Sequence, residues 1–202
     1  KRRRVLTRTG GRPGDELWVT GALGAATAGL ACLLNTPDEP PKTNGDIAAC
    51  VEWYRRPEPR VRIGTLTGRN RAARAAIDLS DGLGDGIHQL AAASGVGARL
   101  DGSAVPIHPG ASQWFGLQGL DPLHATIVGG DDYELLLAVP RAYRRRFAAV
   151  SRQASGVPIT CIGELTKDRA VVLRSEKGEQ PVARGYEHFK NPAGKKGEAG
   201  ET

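Results

Sequence analysis

Ile77-Asp78-Leu79-Ser80-Asp81-Gly82-Leu83-Gly84-Asp85-Gly86 is the stretch on which the reading of this chain turns. The apolar residues Ala75-Ala76-Ile77 lead into it, and Leu83, Ile87, Leu90 and Ala91 leave it at helical spacing. That pattern predicts a strand end, a tight acidic turn and a helix start. Ser80 and Asp81 are expected to cap the helix, because their side-chain oxygens can accept the free N–H groups of a first turn. Asp78, Asp81 and Asp85 together exceed what capping needs. Hard oxygen ligands at a helix N-terminus suit Mg2+ and the phosphates it carries. Taken alone, the stretch leaves a structural turn and a metal site equally open.

A second acidic stretch is Gly129-Gly130-Asp131-Asp132-Tyr133-Glu134-Leu135. Its glycine pair lets backbone approach a ligand closely. Alternation along an extended chain puts Asp132 and Glu134 on one side, and Asp131 and Tyr133 on the other. At most one of these pairs can therefore face a given site. By itself the segment reads as a surface turn with solvated acids.

The chain has 202 residues, 40% hydrophobic and 25% charged, which is enough for a real core. It contains no apolar run of about 18 residues, so no transmembrane helix is expected. Lys1-Arg2-Arg3-Arg4 is basic but is not followed by the apolar core of a signal peptide. Cys32, Cys50 and Cys161 are widely spaced and form no CxxC pair, which argues for reduced thiols, a cytoplasmic setting and no zinc site. The net charge is +6, carried by small groups such as Arg55 to Arg62, Arg69 to Arg74 and Arg144-Arg145-Arg146. With few aromatics and no stacking pattern, this basic surface suits nucleotide phosphates rather than nucleic acid. The chain lacks methionine even at position 1, so it reads as the C-terminal part of a longer protein or a truncated gene product.

Further elements follow in order. Val5-Leu6-Thr7 and Glu16-Leu17-Trp18-Val19-Thr20 read as strands. A helix is expected from about Ala25 to Leu34, with Leu23, Leu30, Leu33 and Leu34 as its apolar face and small residues allowing close approach. Asn35 to Gly45 is a proline-rich loop, and Asp46 to Tyr54 a short helix stopped at Pro57. The basic segment up to Arg74 is expected to hold a helix carrying Arg69 and Arg71 toward the organising turn. The helix after that turn runs to Ser94 and ends at Gly95. Ala98-Arg99-Leu100 is a strand, and the region from Val105 through Trp114 and Phe115 is expected to be irregular. Glu134 to Val139 is a strand, Pro140 opens a helix to about Ser155, and Ile159 to Ile162 and Ala170 to Leu173 are the last strands. The tail from Asn191 has no core-forming residues and should be disordered. Strands and helices mix, which predicts an α+β or layered α/β domain. The four histidines are scattered without ligand spacing, the tryptophans read as packing residues, and Arg144-Arg145-Arg146 as a solvated helix face.

Together, the two acidic turns resemble the C-domain signatures of thiamine-monophosphate kinase. Supporting stretches, in family order, are Thr7-Arg8-Thr9-Gly10-Gly11-Arg12-Pro13-Gly14-Asp15, Val19-Thr20-Gly21-Ala22-Leu23-Gly24, Arg56-Pro57-Glu58-Pro59-Arg60 and Gly185-Tyr186-Glu187-His188-Phe189. The Asp-Leu-Ser-Asp-Gly motif alone fits the wider superfamily that includes aminoimidazole-ribotide and selenophosphate synthetases. The resemblance implies a layered α/β/α C-terminal domain of the aminoimidazole-ribotide synthetase type over residues 1–190, a mixed sheet with flanking helices, and a tail over 191–202. It implies transfer of the γ-phosphoryl group of ATP to thiamine monophosphate with Mg2+. It also implies an acidic N-terminal half, absent from this chain, that supplies most of the metal cluster and a homodimer contact. Asp78 and Asp81 then resemble Mg2+ ligands, Ser80 and Arg8 ATP contacts, Asp131 a substrate contact and Tyr186 the aromatic near the thiamine moiety. Asp131 stands where the family usually has Glu, one methylene longer. Without the N-terminal half, little or no kinase activity is expected. The alternatives are another superfamily member with a different phosphate acceptor, or a non-catalytic nucleotide-binding or oligomerisation module.

Overall fold

The computed structural model describes residues 5–35, 45–154, 156–176 and 178–185. Among the described residues seven strands form one sheet: β1 (Asp15–Thr20), β2 (Ala75–Asp78), β3 (Gly97–Asp101), β4 (Leu135–Pro140), β5 (Ile159–Thr166), β6 (Val171–Ser175) and β7 (Gly178–Pro181). Their order is β2-β4-β1-β5-β3-β6-β7. Only β3 and β6 pair in parallel; the other neighbours are antiparallel, so the sheet is mixed. The helices are α1 (Ala25–Asn35), α2 (Gly45–Arg55), α3 (Val61–Asn70), α4 (Leu83–Ser94), α5 (Pro109–Leu117), α6 (Pro122–Val128) and α7 (Arg144–Gln153).

Alternation along the strands divides the core between two faces. Leu17 and Val19 of β1, Leu136 and Ala138 of β4, and Ala75 of β2 pack on Leu83, Ile87 and Leu90 of α4 and Ile127 of α6. The alternate residues, Trp18, Leu137 and Val139, pack on Ile63 of α3 and on Phe147 and Val150 of α7. Helices thus flank the sheet on both sides, as the α/β/α reading expects. A third cluster joins α1, α2 and α5 through Ala28, Cys32, Cys50, Val51 and Phe115.

Several expectations need correction. Val5-Leu6-Thr7 is not a strand; the Thr7 carbonyl accepts one bond from the Ala76 N–H at the edge of β2. The buried side of α1 is its small side, Ala25, Ala26, Ala28, Gly29 and Cys32, while Leu34 is 72% exposed. The reason is proximity: a Cβ on Gly29 would lie 2.2 Å from the Cys50 carbonyl oxygen, so α2 rests where larger side chains cannot fit. The region after Val105 is helical. Pro109 and Pro122 each sit in a first turn, and His108 Nδ1 and Asp121 accept the N–H groups that open α5 and α6. Pro140 is followed by a short 3-10 turn at Arg141–Tyr143 before α7 begins. A seventh strand, β7, follows β6. Arg144 is not simply solvated: it pairs with the buried carboxylate of Glu16. Tyr186 and the tail from Asn191 lie outside the described residues, as does most of the loop between α1 and α2.

Two buried carboxylates fix the turn before β4. Glu134 is fully buried, and its oxygens accept from Arg60 Nε at 2.7 Å and Nη2 at 2.6 Å. The Arg60 side chain is 7% exposed and lies over the Trp53 ring at 5.1 Å. Glu134 also occupies the space beside Gly21, where a Cβ would fall 1.9 Å from its Oε1, at a backbone φ of +64°. Asp132 is 2% exposed and accepts the Gly24 N–H at 2.7 Å and the Ala26 N–H at 3.1 Å, at the start of α1. Burial pushes its carboxyl up to about 7, although the two N–H groups act in the opposite sense.

Removing one partner of a buried ion pair strands the other charge. Arg60→Met is expected to lower the unfolding free energy by about 3–5 kcal/mol in urea titrations, while Arg60→Met combined with Glu134→Leu restores most of the loss. Asp132 binds a proton more readily folded than unfolded, so its contribution is greatest below its ordinary carboxylate range and is lost as pH rises through about 7. The stability difference between the wild type and Asp132→Asn should therefore shift against the wild type from about pH 4 to about pH 7, by at most about 4 kcal/mol, and then level off.

Candidate functional site

β2 and β4 are antiparallel neighbours, with Asp78 opposite Leu135. The C-terminal end of β2 therefore meets the N-terminal start of β4, and the two acidic stretches come together at one end of the sheet. Main-chain bonds continue the pairing beyond the strands. Leu79 N–H donates to the Glu134 carbonyl at 2.8 Å, Tyr133 N–H to Leu79 at 3.3 Å, and Asp131 N–H to Ser80 at 2.7 Å. Thr27 Oγ1 donates to the Gly130 carbonyl at 3.2 Å, and Trp53 Nε1 to the Asp132 carbonyl at 3.3 Å. Asp131 and Tyr133 both hold left-handed backbone, at φ 64° and 53°. Such conformations cost about 1–3 kcal/mol each outside glycine and persist where the surroundings impose them. The imposing residues lie between and beside them: Asp132 and Glu134 point inward, while Asp131 and Tyr133 face out. The alternation read from the sequence holds.

On one side of this junction lies a polar cleft of about 220 Å³, walled by Arg8, Asp78, Ser80, Asp81, Asp85 and Gln89 over Ile77 and Gly86. On the other side lies an apolar hollow of about 450 Å³, lined by Pro57, Pro59, Arg60, Val61, Gly64, Asp78, Tyr133 and Leu135. Asp78 belongs to both. The Tyr133 hydroxyl lies 3.4 Å from Asp131 Oδ1, and its phenol is pushed up first by the Asp131 charge, then by burial, with smaller contributions from Asp78 and Asp81. Asp131, Asp78 and Asp81 thus all sit within electrostatic reach of the Tyr133 hydroxyl.

Arg8, Asp78, Ser80 and Asp81 are brought into one cleft, and Asp131 sits beside it on the turn bonded to Ser80. Tyr186 falls outside the described residues, but Gly185 before it rests against the Asp81 carbonyl. Gly82, at φ 92°, rather than Ser80 or Asp81, is the N-cap of α4. Arg69 and Arg71 are exposed and do not line the cleft; Arg71 ends α3 in left-handed backbone. Sequence reading missed Gln89 and Tyr133 as site residues and gave Asp85 no role of its own. The i, i+4 spacing of Asp85 and Gln89, one turn into α4, was the signal that could have found them.

Hard oxygens dominate the cleft, as a Mg2+ site needs. Among the described residues no group of three or more His, Cys, Asp or Glu is placed to hold a metal ion. Asp78 and Asp81 instead offer two carboxylates, the number Mg2+ commonly takes from protein when phosphate and water supply the rest. Elsewhere, Cys50 Sγ lies 3.3 Å from His108 Nδ1, which accepts the Gly110 N–H and so can only accept a hydrogen bond from the thiol. Burial pushes the thiol up to about 12 and the imidazole down, which makes the pair a packing contact rather than a nucleophile.

Comparison with known proteins agrees with this architecture. The chain is 36% identical over 192 residues to the thiamine-monophosphate kinase of Escherichia coli (strain K12), covering 94% of this chain and 57% of that protein. The crystal structure of thiamine-monophosphate kinase from Stenotrophomonas maltophilia K279a superposes with a TM-score of 0.75 at 30% identity, over 85% of this chain and 54% of that one. The structure described as AaThiL complexed with AMPPCP and TMP superposes with a TM-score of 0.76 at 27% identity, over 91% of this chain and 54% of that one. The chain thus spans little more than half the length of the proteins it matches. No described helix is long and apolar enough to cross a membrane. The profile of the AIR synthase related protein, C-terminal domain, matches residues 12–176, and the chain belongs to that family.

Proposed function

We propose that this chain is the ATP- and acceptor-binding part of a kinase that transfers the γ-phosphoryl group of ATP to thiamine monophosphate, giving thiamine diphosphate. The observation that carries the reading is the sharing of Asp78 by a polar cleft and an apolar hollow. A phosphoryl donor is mostly charge, and the cleft offers Arg8 and Ser80 to its phosphates. The acceptor joins a phosphate to a flat cationic heterocycle. The hollow offers it apolar walls, the face of Tyr133 and the nearby carboxylates of Asp78 and Asp131. Support also comes from the relatives named thiamine-monophosphate kinase and from the AaThiL structure with AMPPCP, a non-hydrolysable relative of ATP, and TMP.

The chemistry asks little of the protein beyond placement and charge. An acceptor phosphate oxygen attacks the γ-phosphorus, its bond to the β-phosphate oxygen breaks, and ADP leaves. The attacking oxygen is already ionised, so no general base is needed. Mg2+ held by Asp78 and Asp81 would neutralise phosphate oxygens. Arg8 binds phosphate charge, Ser80 donates its hydroxyl, and the 131–133 turn keeps the acceptor in line with the cleft. Asp131, one methylene shorter than the family's usual Glu, would reach the acceptor through water. The resemblance also implies that further metal ligands and the dimer contact come from an acidic N-terminal half, so turnover by these 202 residues alone should be slow.

Asp78→Ala and Asp81→Ala are each expected to weaken Mg–ATP binding in calorimetry by more than about tenfold. Asp131→Ala should weaken thiamine monophosphate binding while leaving Mg–ATP within about twofold. If both aspartate variants bind Mg–ATP as the wild type does, the assignment of the cleft is wrong. In a coupled ADP-release assay at high protein concentration, the chain alone should show little turnover with thiamine monophosphate. Robust turnover would overturn the dependence on a further half. Nucleotide binding without any thiamine monophosphate binding would favour a different acceptor or a non-catalytic module.

A further inference from the structure

Arg8 is held differently from the other well-anchored arginines. Arg60, Arg74 and Arg144 each pair with a buried carboxylate, of Glu134, Asp15 and Glu16 respectively. Arg8 Nη1 instead donates to the side-chain amide oxygen of Gln89 at 2.6 Å. The other end of that amide, Nε2, donates to Asp85 Oδ2 one helical turn earlier. Asp85 can only accept here, so it dictates which way the amide points and leaves Oε1 facing Arg8. The main chain of the same residue is tied to the same helix: Ser94 Oγ donates to the Arg8 carbonyl at 3.2 Å and accepts the Gly11 N–H at 3.1 Å. Both the backbone and the guanidinium of Arg8 are therefore referenced to α4, whose first turn borders the cleft.

We propose that Gln89, oriented by Asp85, is a positioning residue that presents Arg8 to an anionic phosphate oxygen in the polar cleft. This rests on the assignment of the cleft to a nucleoside triphosphate. A neutral amide does what a carboxylate at position 89 cannot. It fixes the guanidinium through one N–H and leaves its charge and its other donors for an incoming anion. A glutamate there would neutralise Arg8 and compete with the phosphate, and it would also repel Asp85. An alanine would leave the long side chain of an exposed residue to pay its ordering entropy on binding.

The test is calorimetric titration of the full chain with Mg–ATP, comparing wild type, Arg8→Ala, Gln89→Ala, Gln89→Glu and Arg8→Ala/Gln89→Ala, with thermal melting of each. Arg8→Ala is expected to weaken binding about tenfold, as loss of a charged hydrogen bond does. Gln89→Ala and Gln89→Glu should weaken it several-fold with melting temperatures near the wild type, and the double variant should match Arg8→Ala alone. Wild-type affinity in both Gln89 variants, beside a weakened Arg8→Ala, overturns the positioning role and leaves the cleft assignment standing. A Gln89→Ala loss that persists on the Arg8→Ala background also overturns it, because the effect then bypasses Arg8. No saturable Mg–ATP binding by the wild type, or no loss in Arg8→Ala, sinks the cleft assignment and this inference with it.

Discussion

The paired hydrogen bonds between Arg60 and Glu134 hold the functional end of this molecule in shape. They join the segment between α2 and α3 to the residue just before β4, across a position where only a glycine, Gly21, leaves room for the carboxylate. A buried pair of this kind adds little stability over apolar packing, because desolvation offsets most of its attraction. Its consequence is geometric. With Glu134 anchored inward and Asp132 bonded to the start of α1, the residues between and before them have no choice but to face outward. Asp131 and Tyr133 accept left-handed backbone as a result. The strain of the turn and the burial of its alternate residues are one arrangement seen from two sides.

That arrangement also explains why the two pockets share a wall. Antiparallel pairing of β2 and β4 brings Asp78 beside Leu135, and the bonds from Leu79, Tyr133 and Asp131 carry the contact past the strand ends. The chain turns away on both sides at that point. Toward α4 it leaves carboxylates, a serine and Arg8 around a polar cleft; toward α3 it leaves prolines, Val61 and Tyr133 around an apolar hollow. One sheet end separates a polar cleft from an apolar hollow. A phosphoryl-transfer reading needs that separation, with the reacting groups meeting at its boundary.

Much of this was legible in the residues. The strands and helices with clear periodicity, β1, β4, α2 and α4, lie close to where alternation and helical spacing put them. Alternation also put Asp132 and Glu134 on one side and Asp131 and Tyr133 on the other, though not which pair faces inward, and the α/β/α layering was what the family resemblance implied. Local signals failed where a neighbour decided the outcome. Leu23 is buried as read and Leu30 and Leu33 are half-buried, yet close approach of α2 favoured the alanines and Gly29 of α1 over Leu34, which is exposed. The region from Val105 through Trp114 and Phe115 read as irregular, although Pro109 and Pro122 each open a helix there. Ser80 and Asp81 have the chemistry of caps, but Gly82 takes the N-cap position of α4.

The sequence by itself determined which residue types could meet phosphate and metal, and which strands and helices would carry them, because those properties are local to a few consecutive side chains. Tertiary structure alone decided that Arg60 pairs with Glu134. It also decided that Gln89 and Asp85 hold Arg8 in place, and that Asp78 stands between two pockets. Each of these depends on contacts between residues far apart in the chain, from 57 between Asp78 and Leu135 to 81 between Arg8 and Gln89. Spacing along the chain carries no information about such distances; the pairing of β2 with β4 and the packing of α4 against the N-terminal segment create them.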